Sequence, residues 1–153
     1  MSKAAKPRIA KTHRKDAERA AEHFLHHHYG CTHTVRAVNT KWQRQDLFAC
    51  DVIGKHPIVD GGTVYAQVTC GRDEAVRSRR RKLEEIPWAS DDIVLVLQMV
   101  SRDNPANARK TEFFFRVHRY WHRAARSWTV EEDAQPVPRA WFRAWKPEQE
   151  AKA

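Results

Sequence analysis

Two segments that read as buried β-strands but carry polar side chains constrain the fold and the site of this chain more than any other feature. The first, 46–54, has the composition of a β-strand but carries Asp51 inside its apolar run. The second, 65–69, also reads as a strand and carries Gln67 and Thr69, which alternation places on one face. A carboxylate inside an apolar strand costs free energy unless it is paired or binds a metal ion. The two segments therefore predict a small metal-dependent site on neighbouring strands.

The remaining segments predict one α/β domain in which a mixed β-sheet is flanked by helices. A Gly61-Gly62 pair between the second and third strands predicts a hairpin, and so an antiparallel pairing of these strands. The run Ile93 to Leu97 suits a fully buried central strand. The predicted order is α-β-β-β-α-β-β-β-(α), with a helix over 13–28, strands over 32–39, 46–53 and 63–69, a helix over 72–86, a strand over 91–100, a loop over 101–110, strands over 111–121 and 127–130, and a short helix over 139–145.

Length and composition suit a single folded domain without a membrane span. The chain has 153 residues, of which 41% are hydrophobic and 31% charged. We expect a flexible basic arm over 1–12, one domain over 13–146 and a flexible tail over 147–153. The basic N-terminus lacks the apolar stretch of a secretory signal, and no apolar run reaches membrane-spanning length. The three cysteines form neither a zinc-binding spacing nor a disulfide framework, which favours a reducing cytoplasm.

The positive charge of the chain is clustered, which predicts a polyanionic partner. The formal net charge is +9 and the sequence pI is about 9.8. Clusters of this kind favour nucleic acid as the partner, whereas charge spread for solubility alone is the alternative. The clusters are Lys3, Lys6, Arg8, Lys11, Arg14 and Lys15; Arg77, Arg79, Arg80, Arg81 and Lys82; and Arg116, Arg119, Arg123 and Arg126.

Two further sets of side chains each allow two interpretations. His23 and His27 stand four residues apart on the first helix and can share a metal ion, but histidines at a solvated helix end are the favoured interpretation. Trp141, Phe142 and Trp145 lie on one side of the last predicted helix. They can stack on bases, but docking of that helix onto the core is favoured. His118 and His122 are also four residues apart, but in a strand they are not expected to bind one metal ion together.

The two opening segments carry motifs that resemble the PD-(D/E)XK nuclease superfamily. The pattern Arg44-x-Asp46-Leu47-Phe48-x-x-Asp51 looks like its second motif, and Gln67-Val68-Thr69 followed by the basic run 77–82 looks like its third. Within the superfamily, the likeness is to small proteins similar to Holliday-junction resolvases, often of phage or bacterial origin. It covers about 16–130 and implies a restriction-endonuclease-like fold.

The resemblance assigns roles residue by residue. Glu18 matches the acid of the first helix, although Glu22 competes with it, and Asp51 matches the metal-binding aspartate. Gln67 stands where the family has a second acid, and Thr69 stands where it has a lysine. In the family the acids hold Mg²⁺, with Mn²⁺ as a substitute, and the lysine helps to activate the attacking water.

These assignments define a candidate metal site and a candidate DNA surface. The metal ligands are Glu18, Asp51, the Gln67 side-chain oxygen and the Val68 backbone carbonyl, all oxygen donors. Asp46 is interpreted as a turn residue. Because Thr69 has no charge, Arg72 or Lys82 is a candidate replacement for the lysine. The residues expected to bind phosphates are Arg44, Arg72, Arg77, Arg79, Arg80, Arg81 and Lys82.

The first functional hypothesis is a Mg²⁺-dependent DNA endonuclease of the bacterial or phage-infected cytoplasm that acts on branched DNA such as Holliday junctions. The resemblance implies a homodimer, since a junction presents two symmetric strands. Gln67 and Thr69 keep a second hypothesis open, a nuclease-fold protein that binds nucleic acid without cutting it. A third is a structural component of a phage particle that contacts DNA.

Overall fold

A six-stranded mixed β-sheet lies between two α-helices in the computed structural model, which describes residues 14–39, 44–45, 50–55, 62–104, 106–123 and 125–143. The strand order is β1-β4-β5-β6-β7-β8, and β2 and β3 form a separate pair. All pairings are antiparallel except that of β5 with β6. The elements are α1 (Arg14–Tyr29), β1 (His33–Arg36), β2 (Val38–Asn39), β3 (Arg44–Gln45), β4 (Val52–Lys55), β5 (Thr63–Thr69), α2 (Asp73–Glu84), β6 (Ile93–Asn104), β7 (Asn107–Trp121), β8 (Ser127–Glu132) and a 3₁₀ helix (Arg139–Phe142).

Helix α1 covers one face of the sheet through its small and apolar side. Ala17, Ala21 and Leu25 are fully buried there and pack with residues of β4, β5 and β6. Helix α1 ends at Gly30, whose φ of +65° is a left-handed conformation that glycine adopts without strain. Close packing continues at Gly54, where an added Cβ would lie 2.7 Å from the sulfur of Cys31. The prediction of a helix stopped by Gly30 is confirmed.

Helix α2 covers the other face thinly, as its sequence predicts. Its buried residues are Val76 and Leu83, which pack with apolar side chains of β6 and with Tyr120. The helix ends before Pro87, which cannot continue the hydrogen-bond ladder. The α/β class, the mixed sheet and the helix on each face are thus confirmed, and no helix in the described part of the chain is long and apolar enough to span a membrane.

Several boundaries of the sheet differ from the prediction, among them that of the strand predicted over 46–53, which in the described residues is β4 (Val52–Lys55). The predicted strand over 32–39 is broken at Ala37, and the small β2–β3 pair after it was not expected. The predicted loop over 101–110 is wrong, because β6 and β7 extend through most of it. Its polar residues belong to strands that project beyond the core, where Arg102 and Arg116 both pair with Glu132 on β8. The residues of this segment are polar because the strands are exposed to solvent there, and their polarity does not indicate a loop.

Some predictions lie outside the described residues. They concern the arm over 1–12, the tail over 147–153, Asp46, the Arg44 side chain, most of the hairpin loop that contains the Gly61-Gly62 pair, and Trp145. The three cysteines are described, and all are free thiols.

Candidate active site and nucleic-acid surface

Asp51 lies at an irregularity where β4 meets β5. Its backbone N–H donates to the carbonyl of Ala66 at 2.9 Å, although the residue that pairs with Ala66 is Val52. Cys50 packs on the α2 side of the sheet and Val52 on the α1 side, so the usual alternation is interrupted between them. This is the arrangement of a β-bulge, a feature that redirects a side chain and is frequent beside active sites.

The bulge directs the Asp51 carboxylate at the backbone of β5. Asp51 is 1% exposed, and its Oδ2 accepts a hydrogen bond of 2.7 Å from the N–H of Val68. The backbone carbonyl of Asp51 accepts from the N–H of Ala37 at 2.8 Å, which ties the end of β1 to the same point. The buried acid therefore has a structural partner, and its position beside Gln67-Val68-Thr69 agrees with the sequence expectation.

Arg79 brings a cation to the backbone of the same residue, Val68. Its Nε donates to the Val68 carbonyl at 3.4 Å, a long contact that reaches from α2 across to β5. The N–H and the carbonyl of one residue thus contact Asp51 and Arg79, respectively. The sequence makes Arg72 and Lys82 the candidate replacements for the missing lysine, whereas the structure places Arg79 at the Val68 carbonyl. Only the contact between helix and strand identifies it, since the basic run contains several equivalent arginines.

Gln67 and Thr69 face the α2 layer. Val64, Ala66 and Val68 pack in the core on the α1 side and Tyr65 packs on the α2 side, so the alternation of β5 places both polar residues under α2. Each is 5% exposed, and the Thr69 hydroxyl accepts from the N–H of Gly71 at 2.9 Å.

Glu18 and its rival Glu22 lie on the opposite side of the sheet, on α1. Glu22 accepts from the Thr34 hydroxyl at 2.5 Å and pairs with Nε of Arg36 at 2.6 Å, which gives it partners on β1. Glu18 is 8% exposed and lies one helical turn before Glu22 on the same side of α1. The predicted ligands Glu18 and Gln67 therefore approach from different faces of the sheet, and the Asp51 carboxylate contacts the backbone of β5.

A buried polar chain under α2 was not predicted from the sequence. The Gln98 amide donates to the Gly71 carbonyl at 3.0 Å, and its oxygen is 3.1 Å from Nε2 of His118. A guanidinium nitrogen of Arg80 is 2.5 Å from Nδ1 of His118. Because Arg80 can only donate, Nδ1 must accept, and Nε2 carries the proton that is donated to Gln98. The one sequence signal was Gln98 itself, the polar residue that interrupts the apolar run of β6.

Burial keeps His118 neutral in this chain. Desolvation, followed by the charges of Arg80 and Arg116, lowers the pKa of His118 to about 4, while Asp73 acts in the opposite direction. Burial likewise lowers the pKa of Arg80, whose guanidinium also lies 4.9 Å from the ring centroid of Trp128. Arg80, one of the predicted phosphate ligands, is thus directed inward.

The outer side of α2 forms an open basic groove of about 300 Å³. The groove is lined by Glu74, Arg77, Ser78, Arg81 and Lys82. Arg77, Arg81 and Lys82 are exposed, as is Arg72 before the first turn. Of the predicted phosphate-binding residues whose side chains are described, these four face solvent, whereas Arg79 and Arg80 contact the sheet.

The histidines of α1 have packing partners. His23 and His27 both stack on Trp141, with ring centroids 5.9 and 5.1 Å apart. Trp141 and Phe142 pack against the core on the α1 side, so the expected docking of the last helix is confirmed for these two residues. Across the described residues no group of three or more His, Cys, Asp or Glu side chains is arranged to hold a metal ion.

Comparisons with known proteins identified no relative of this chain. The chain matches no protein-family model, and neither the curated proteins nor the solved structures gave a match.

Proposed function

We propose that this chain is a metal-dependent DNA endonuclease of the PD-(D/E)XK type that acts on branched DNA. The observation that carries the proposal is the bulge that holds the buried Asp51 carboxylate against Val68, inside the Gln67-Val68-Thr69 segment. The order of elements around it supports the restriction-endonuclease-like fold that the sequence resemblance implies. Helix α1 precedes the antiparallel strands β1, β4 and β5, and α2 then leads to the parallel strand β6.

DNA binding is assigned to the outer side of α2. The exposed cations Arg77, Arg81 and Lys82 lie along one groove, and Ser78 adds a hydroxyl that can donate to a phosphate oxygen. Contacts of this kind bind the backbone of any sequence and position it on the protein. The net charge of +9 adds long-range attraction for a polyanion.

The chemistry is assigned to the residues around Val68. Asp51 and the amide oxygen of Gln67 are oxygen donors, the class of ligand that Mg²⁺ and Mn²⁺ accept, and Asp51 would be the principal ligand. Glu18 approaches from the other face of the sheet and is left out of this set. A bound divalent cation supplies a water of lowered pKa and withdraws charge from the phosphate. Arg79 supplies the positive charge that Thr69 lacks, and its planar guanidinium suits the oxygens of a phosphate.

Binding without cutting is the second candidate. Two observations favour it: Glu18 and Gln67 lie on different faces of the sheet, and neutral residues stand where the family has an acid and a lysine. In that case Asp51 has a structural role, in which its carboxylate accepts from Val68, and the basic groove on α2 contributes to the affinity for DNA.

Incubation of the protein with a labelled duplex and a labelled four-way junction tests the proposal. With Mg²⁺ or Mn²⁺ we expect cut products, more from the junction than from the duplex, and none when the metal is chelated. Salt-sensitive binding without products under any of these conditions would replace the proposal with the second candidate. Absence of binding to both DNAs at low salt would contradict both functions.

A further inference from the structure

Trp121 presents a rigid aromatic ring to solvent at the end of β7. The residue is 41% exposed, one of the large hydrophobic side chains that the described core leaves uncovered. Its indole N–H donates to the Thr129 hydroxyl at 2.8 Å, and the Arg119 guanidinium lies 3.8 Å from its ring centroid. Arg119 pairs with Thr129 across the β7–β8 ladder, so the two residues that fix the ring are themselves held in register. The ring is therefore held in place while a large part of it faces water.

The connection that follows Trp121 adds two exposed cations. Arg123 and Arg126 lie between β7 and β8, and both are exposed. Arg126 has a φ of +47°, and no other non-glycine residue in the described part of the chain has a positive φ. Glycine or asparagine occupies such a position at lower cost.

The charge and the location of this hairpin end separate it from the groove on α2. Glu131, which pairs with Val117, neighbours Thr129 on the same face of β8, and Asp92 also lies at this end of the sheet, where its backbone carbonyl contacts His122. Trp121 alternates with Val117 and Phe115, which pack in the core on the α1 side. The Trp121 side chain therefore lies on the α1 side of the sheet, whereas α2 covers the opposite side.

We propose that Trp121 is a stacking platform for an unpaired nucleobase of single-stranded nucleic acid, with Arg119, Arg123 and Arg126 contacting the adjoining phosphates. This inference rests on the proposed function in that the partner is nucleic acid, and it names the part of a branched substrate that the hairpin binds. Every base has a π face that an exposed indole can cover, so binding is independent of sequence. Bases within an intact duplex already stack on each other, so the platform distinguishes unpaired from paired strands.

Fluorescence anisotropy with a labelled oligothymidylate and with a labelled blunt duplex tests the platform. Removal of the indole in Trp121→Ala should weaken binding of the single strand by about ten-fold or more, because stacking on an aromatic side chain carries an effect of roughly that size. Duplex affinity should change by less than about two-fold. Trp121→Phe keeps an aromatic face and should recover most of the loss, and Val130→Ala removes a more exposed apolar side chain of the same hairpin and should change neither affinity.

A second variant separates binding from folding. Arg126→Gly relieves the left-handed backbone and should raise the melting temperature while weakening single-strand binding. Unchanged single-strand affinity in Trp121→Ala, or an equal loss on duplex and single strand, would overturn the platform and leave the endonuclease proposal standing. If the parent bound neither oligonucleotide, the platform and the proposed function would fall together.

Discussion

At the residue scale, the buried acid Asp51 has a structural partner that explains how its position is tolerated. The N–H of Val68 donates to its carboxylate, and the Asp51 peptide is itself bonded to Ala37 and Ala66. Replacement by alanine would leave a buried N–H unsatisfied, at a cost of about 1–3 kcal/mol. A loss of activity in Asp51→Ala would therefore mix a structural effect with a chemical one, and a replacement that keeps an oxygen acceptor is the better probe.

His118 should make the stability of the protein depend on pH. Its pKa in the folded chain is about 4, below the ordinary 6.5, so between these values the unfolded chain binds a proton that the folded chain excludes. The free energy of unfolding is therefore fully retained above pH 6.5 and falls as the pH drops towards 4. The shift corresponds to about 3 kcal/mol at most. Denaturant titrations of the parent and of His118→Gln between pH 7 and pH 4.5 measure it.

The carboxylates titrate in both proteins, so their contribution cancels in the difference between the free energies of unfolding of the parent and the variant. That difference therefore reports on His118. We expect the parent to lose stability relative to His118→Gln as the pH falls. His122→Gln is the matched control on the same hairpin and should follow the parent. A difference between parent and His118→Gln that stays constant with pH would mean that His118 is not held neutral by its surroundings.

At the scale of elements, α2 has two sides with different tasks. Val76 and Leu83 bury its inner side, and Arg79 and Arg80 reach from it to Val68 and His118. The outer side carries the exposed cations of the groove. A basic run that looks uniform in sequence is thus divided by the helical period into anchoring and exposed arginines.

Removal of the outer cations should weaken DNA binding and flatten its dependence on salt. In the triple variant Arg77→Gln, Arg81→Gln, Lys82→Gln, we expect the slope of log K against log salt concentration to fall in magnitude by about 2–3, since each lost phosphate contact removes about 0.9. Anisotropy titrations on a duplex at several salt concentrations measure the slope. The control Lys55→Gln, Arg139→Gln, Arg143→Gln removes the same charge from exposed positions outside the basic clusters and should keep most of the slope. Equal slopes in both triple variants would remove α2 from the interface.

Periodicity in the sequence predicts the elements well and their mutual contacts poorly. The strand over 63–69, the stop at Gly30 and the thin apolar side of α2 follow from local pattern, and the structure confirms them. The sequence predicts a loop over 101–110 because the segment is polar, whereas its residues continue the β6–β7 ladder, in which Ser101 pairs with Phe113 and Asp103 with Thr111. The bulge at Asp51 and the choice of Arg79 among several arginines depend on how separate elements meet, which a one-dimensional pattern does not record.

At the scale of the whole molecule, two basic surfaces lie on opposite sides of one sheet. The groove on α2 suits the backbone of a duplex, and the hairpin end at Trp121 suits an unpaired strand. A branched DNA offers both features in one molecule. Asp51 and Arg79 both contact the backbone of Val68, and Arg79 reaches it from α2, so the proposed chemistry is linked to the helix that carries the duplex-binding groove.

The cleavage rate of Asp51→Asn tests the central claim most directly. Asparagine keeps an oxygen that can accept from the N–H of Val68 but removes the negative charge that a divalent cation requires. Under single-turnover conditions with Mg²⁺ and a four-way junction, we predict a rate lower on the order of 100-fold or more, with DNA affinity and melting temperature close to those of the parent. Cleavage by Asp51→Asn at the rate of the parent would contradict the account, because the carboxylate would then have a structural role alone.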